Sequence, residues 1–189
     1  MTPGALSGGF ATPSIDASHA FRAALNAMAR PGTVEFVAGA LPPGPLSIAA
    51  GVLILTLTDG TTPLHLAGAH DCAAVRDWIT FQTGALFVGA AQARFAIGCW
   101  DALHPTDRFA AGTADYPDRS VTLIVEMPDL VTVTARLTGP GIKDVAHLAL
   151  PDIAVFEANR ARYPLGFDTY LTANNQLAAL PRSTRPEAL

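Results

Sequence analysis

The chain has 189 residues, half of them hydrophobic and only 15% charged, with a net charge of −4. That length suffices for a proper core, and the mildly acidic balance, with no basic run or aromatic-basic face, excludes direct nucleic-acid binding. A soluble domain usually carries about a quarter charged residues, so either the chain is merely alanine-rich or part of its apolar surface is covered by a second chain.

The first element is a helix ending at FRAALNAMARPG, residues 21–32. Phe21, Leu25 and Met28 recur at i, i+4 and i+7 and read as one apolar stripe. Ser14 or Asp16 is placed to cap its start, and Pro31 with Gly32 stops it, leaving Arg30 beside the negative end of the helix dipole. Thr33 to Ala38 reads as a short strand with Val34 and Phe36 on one face, and Gly39 to Pro45 as a loop. Leu46 to Thr58 is apolar on every side, and its length favours a buried helix over a strand. It is too short to span a bilayer.

Asp59-Gly60 turns the chain into a strand from Pro63 to Ala67. Asp71 then caps a helix that runs to about Gln82, with Ala74, Trp78 and Phe81 near one face, and Thr83-Gly84 ends it. Ala93 to Ile97 is strand-like, and Trp100 to Thr113 is irregular or a short helix. Ser120 to Met127 and Leu130 to Leu137 read as two strands of a hairpin turned by Pro128-Asp129. Gly139-Pro140-Gly141 is a loop, Asp152 to Tyr163 a helix stopped by Pro164, and Phe167 to Thr172 with Gln176 to Leu180 a hairpin around Asn174-Asn175. Interleaved helices and hairpins imply one α/β domain over residues 1–189, a mixed sheet sandwiched by helices, with loose ends at 1–13 and 183–189.

The common catalytic signatures are absent from this string. It has no GxxxxGK[ST] or GxGxxG loop and no GxSxG elbow, and its five histidines form neither HxH nor HExxH. The two cysteines, Cys72 and Cys99, lack ligand spacing and read as reduced thiols of a cytoplasmic protein, and the N-terminus lacks a signal-peptide pattern. What remains are polar residues in Pro- and Gly-punctuated turns. Arg22 and Arg30 lie on or beside the first helix; Asp118 and Arg119 lie in DYPDRS (115–120). Asp168 ends YPLGFD (163–168) inside an apolar strand, where a carboxylate needs an Arg partner or several backbone donors, and Arg182 follows in LPRSTR (180–185). These six are the candidates for binding a substrate or a partner; none is assigned a catalytic role.

FRAALNAMARPG, LTLTDGTTPLHL (55–66), DWITFQTGA (77–85), GTADYPDRSVTLIV (112–125), LTGPGI (137–142), YPLGFDTYL (163–171) and LPRSTR, in this order along nearly the whole chain, resemble the PhnH family of the bacterial carbon–phosphorus lyase system. One departure is Gln82, where the family commonly has a histidine. The resemblance implies a fold like the large domain of pyridoxal-phosphate-dependent transferases, without that cofactor; Lys143 is the sole lysine among 12 basic residues. It also implies a homodimer when isolated and a cytoplasmic complex with PhnG, PhnI, PhnJ and PhnL. That complex supports ATP-dependent formation of ribose 1-methylphosphonate 5-triphosphate, and this chain is expected to have no activity alone, no metal and no membrane contact. The alternative is an independent enzyme on a phosphorylated or nucleotide substrate, with the arginines as phosphate clamps.

Overall fold

A computed structural model describes residues 6–189. Helix α1 (Pro13–Ala29) starts with the Asp16 carboxylate accepting the Thr12 amide at 2.8 Å, half of the reciprocal arrangement that satisfies first-turn donors. It buries Ala20, Ala24 and Ala27, whereas Phe21 is 52% and Leu25 56% exposed. The expected stripe therefore exists but faces outward, with only Met28 packed against the core. The physical reason is close approach: α1 lies against α2 (Ile48–Leu57) and strand β9 (Gln176–Leu180), whose Ala49, Ala50 and Ala179 leave room for methyl groups and no more.

Helix α2 is buried nearly all round, as its composition dictates, and Ser47 caps it by accepting from the Ala50 amide at 3.1 Å. Helix α3 (Ala73–Thr83) buries Val75, Trp78 and Ile79 and ends on left-handed Gly84, but Phe81 is half exposed. Asp71 does not cap it; its carboxylate grips Arg76 instead.

Seven strands form the main sheet in the order β1-β9-β8-β5-β4-β2-β3. They are β1 (Glu35–Phe36), β2 (Pro63–Leu66), β3 (Leu86–Phe87), β4 (Phe95–Cys99), β5 (Thr122–Glu126), β8 (Asp168–Ala173) and β9. From β8 to β3 the pairs are parallel; β8–β9 is the expected antiparallel hairpin, with Asn174 at φ 52°, and β1 adds antiparallel to β9. Of the two residues expected on one face, Val34 packs against a core while Phe36 is 68% exposed.

Strands β6 (Ala135–Thr138), β7 (Ala146–Leu148) and β10 (Arg185–Ala188) make a separate antiparallel sheet. This corrects the expected hairpin at Pro128-Asp129: β5 and β6 belong to different sheets. Leu123, Ile124 and Val125 are buried on both faces of β5, the mark of a central parallel strand. The chain end is likewise no loose tail, because β10 pairs with β6 along its length. Residues 1–5 of the expected loose start lie outside the described residues, while Ser7 accepts the Trp78 indole N–H at 2.9 Å.

Side chains alternate between two cores. Ile97, Ile124, Tyr170 and Leu177 point toward α1, α2 and α3; Ala96, Leu123, Val125 and Leu171 point toward the small sheet, the short α4 (Trp100–Leu103) and α5 (Ile153–Ala161). The result is a mixed α/β architecture with helices on both faces of a mixed sheet, one face shared with the small sheet. The two Pro/Gly corners at 30–32 and 139–141 pack together: Gly32 has φ +95° and faces Ala146, and a side chain on Gly141 would overlap the Ala29 carbonyl.

Candidate functional site: the amino ends of the parallel strands

Asp168, Thr122 and Pro63 each open a parallel strand, and Arg94 stands directly before β4, so the sheet brings together segments from four distant parts of the sequence. At the centre lies Arg182, just after β9. Its Nε donates to Asp168 Oδ1 at 3.1 Å and one terminal nitrogen to Asp168 Oδ2 at 2.5 Å, while its backbone amide also reaches Oδ1 at 2.8 Å. The same terminal nitrogen donates to the Ser120 hydroxyl, and the other reaches the carbonyls of Pro117 at 2.8 Å and Pro164 at 3.4 Å. All five guanidinium hydrogens thus have partners inside the fold. The side chains are 12% and 25% exposed for Arg182 and Asp168, so the pair is a partly buried bidentate lock between three turns. The turn holding Arg182 is not the exposed one its composition suggests: Thr184 is buried.

Asn159 of α5 reinforces the corner. Its amide donates to the Phe167 carbonyl at 2.8 Å and accepts the Phe167 amide at 2.9 Å, fixing the residue before Asp168. Arg119 lies over the Tyr116 ring at 3.9 Å, in cation–π geometry. Beside the lock opens a cleft of about 380 Å³ lined by Thr61, Thr62, Arg94, Asp118, Ser120 and Thr122, with Pro63 and Phe95. Arg94 makes one long hydrogen bond, 3.4 Å to the Asp118 carbonyl.

Of the six candidates, the structure therefore gathers Asp118, Arg119, Asp168 and Arg182 in one corner. It does not bring the other two there. Arg22 lines a separate groove between α1 and β1 with His19, Asn26, Glu35 and Phe36, and Arg30 sits exposed at the end of α1. Arg94 was not among the candidates. No motif surrounds it in the sequence, and only the strand order, with β4 between β2 and β5, places it in the cleft. Gln82 donates to the Ser7 carbonyl at 3.4 Å, a bond within reach of any side chain with an N–H there.

Among the described residues no group of three His, Cys, Asp or Glu could hold a metal ion, and no helix is long and apolar enough to cross a membrane. Cys72 and Cys99 are unpaired. Lys143, the sole lysine, is exposed in the loop before β7.

Fold and corner together define a mixed α/β protein whose polar side chains gather at the amino ends of its parallel strands. The chain belongs to the PhnH family: the model described as "Bacterial phosphonate metabolism protein (PhnH)" matches residues 8–187. It is 40% identical over 190 residues to the alpha-D-ribose 1-methylphosphonate 5-triphosphate synthase subunit PhnH of Rhizobium meliloti (strain 1021), an alignment covering 96% of this chain and 95% of that protein.

Proposed function

We propose that this chain is the PhnH subunit of a cytoplasmic complex that forms ribose 1-methylphosphonate 5-triphosphate, working with PhnG, PhnI, PhnJ and PhnL and carrying out no chemistry alone. Family membership supports the system, and the relative's name supports the subunit role. One geometric observation carries the reading: α1 turns Ile15, Phe21 and Leu25 outward, and all three are more than half exposed. A helix that buries alanines and exposes its largest apolar residues fits a surface covered by another protein. In isolation the same surface would pair two copies, in keeping with the family's homodimer. Its sheet with helices on both faces remains compatible with kinship to the large domain of pyridoxal-dependent transferases.

Tagged protein co-expressed with PhnG, PhnI and PhnJ is expected to purify as a stable complex. Phe21→Ser with Leu25→Ser should reduce recovery of the complex at least tenfold while leaving the isolated subunit folded by circular dichroism, since both side chains lie outside the core. Purification of the parent protein alone, under conditions where the other subunits assemble, would overturn the reading. The alternative, an independent enzyme, requires the isolated protein to release adenine from ATP with methylphosphonate. Arg182 argues against its acting as that enzyme's phosphate clamp, because its donors are already engaged.

A further inference from the structure

The lining of the cleft beside the Arg182 lock carries both hydrogen-bond donors and acceptors. Arg94, in that lining, has a single long bond at 3.4 Å, which leaves its other guanidinium hydrogens available to a ligand. The Ser120 hydroxyl accepts from Arg182 and so keeps its own hydrogen to donate, and Thr122 lines the cleft as well. Thr61 and Thr62, in the same lining, both donate to Asp59 Oδ1, at 2.7 and 3.0 Å, and Thr62 Oγ1 also accepts the Asp59 amide at 3.1 Å. With their hydrogens engaged, these hydroxyls have only lone pairs left for a ligand, and Asp118 lines the cleft with them.

A guanidinium flanked by two hydroxyl donors is matched to an oxyanion. A carboxylate in the same lining repels a second negative group and accepts from hydroxyls or amines instead. We propose that this cleft binds a phosphate or phosphonate oxyanion carried on a hydroxylated body, with Arg94, Ser120 and Thr122 on the anion and Asp118, Thr61 and Thr62 on the hydroxyls. The Arg182–Asp168 pair acts beside it as a positioning device, engaging the Ser120 oxygen as an acceptor so that its hydrogen stays free for the ligand. The assignment deepens the subunit reading by giving PhnH a ligand contact, but it concerns the isolated chain and does not depend on assembly.

Calorimetric titration of the isolated, full-length protein with ribose 5-phosphate, inorganic phosphate and ribose tests it. Ribose 5-phosphate is expected to bind at sub-millimolar concentration, at least fivefold more tightly than inorganic phosphate, and ribose not at all. Arg94→Gln should weaken ribose 5-phosphate at least tenfold with an unchanged urea midpoint. Asp118→Asn should bring ribose 5-phosphate and inorganic phosphate to equal affinity, and Arg136→Gln on the small sheet should change nothing. Absence of binding at 10 mM (about the weakest association of interest), or equal affinity of Arg94→Gln and parent, overturns the proposal. Equal affinity of the two phosphates for the parent overturns the role given to Asp118. A protein that assembles with its partners but binds no oxyanion refutes this site alone; one that binds but does not assemble refutes only the subunit reading.

Discussion

The two ends of the parallel strands use their polar residues in opposite ways. At the amino ends, Arg182 is saturated and an open cleft lies beside it. At the carboxyl ends the fold is packed shut. Glu126, the last residue of β5, accepts the Ser47 amide at 2.7 Å and the Thr172 hydroxyl at 3.0 Å, so the protein's own carboxylate occupies the N-terminus of α2. His70, in the turn after β2, is only 5% exposed, and neither ring nitrogen has a hydrogen-bond partner. Open α/β sheets ordinarily bind ligands outside the carboxyl ends, where the strand order reverses. Here that reversal falls between β2, followed by β3 on one side, and β4, followed by β5 on the other. Fold analogy alone would therefore point to the end that is filled, and the side chains point to the other.

Breaking the lock should give the largest effect. Arg182→Ala strands the Asp168 carboxylate and leaves Ser120 and the Pro117 carbonyl without their donor. About 3 kcal/mol of stability should be lost, at the low end for breaking a buried pair because both groups keep some water contact. Arg182→Lys should recover less than half of it, since an ammonium cannot reproduce the planar fork. Urea denaturation measures both; a loss below about 1 kcal/mol would reduce the lock to an ordinary surface pair.

At the carboxyl ends the corresponding change is smaller. Glu126→Ala removes the acceptor for one backbone amide and one hydroxyl, a cost of about 2 kcal/mol for charge-assisted bonds. Glu126→Gln keeps an acceptor oxygen and should lose about half as much. If Glu126→Ala proves costlier than Arg182→Ala, the contrast between the ends is inverted, and the closed end is the one that organises the sheet.

How far the sequence reveals this contrast depends on the kind of information each residue holds. Helix α2 is legible because Val52, Leu53 and Ile54 are apolar in succession, and the β8–β9 hairpin because Asn174 tolerates a left-handed turn. Which face of α1 turns inward is not legible locally, because Phe21/Leu25/Met28 and Ala20/Ala24/Ala27 share the same spacing, and hydrophobicity favours the larger set. Only the alanines of α2 and β9 decide which face fits, and those lie far along the chain. That Asp168 needs an arginine or several backbone donors follows from its apolar strand, but not which of these, nor which arginine. Arg94 had no local signal at all; strand order alone makes it part of the cleft.

The smallest effect concerns pH. Burial lowers the pKa of His70 below the ordinary 6.5, opposed by the Glu126 charge and by the Ala67 and Pro45 carbonyls that face the ring. Below that ordinary value the unfolded chain takes up a proton at this position that the folded chain refuses. Stability is therefore fully present above about pH 6.5 and falls as the pH drops through the window beneath it. The lowered carboxylates Asp59, Asp71 and Asp129 start from 3.8 and depart downward, so a comparison of pH 7.5 with pH 5.5 leaves them ionised in both states. His70→Gln should flatten the stability difference between those two conditions, while Glu126→Gln, which removes the charge favouring the imidazolium, should steepen it. An unchanged difference in both variants would mean that the closed end lets water reach the ring, and the contrast between a sealed end and an open one would fail there.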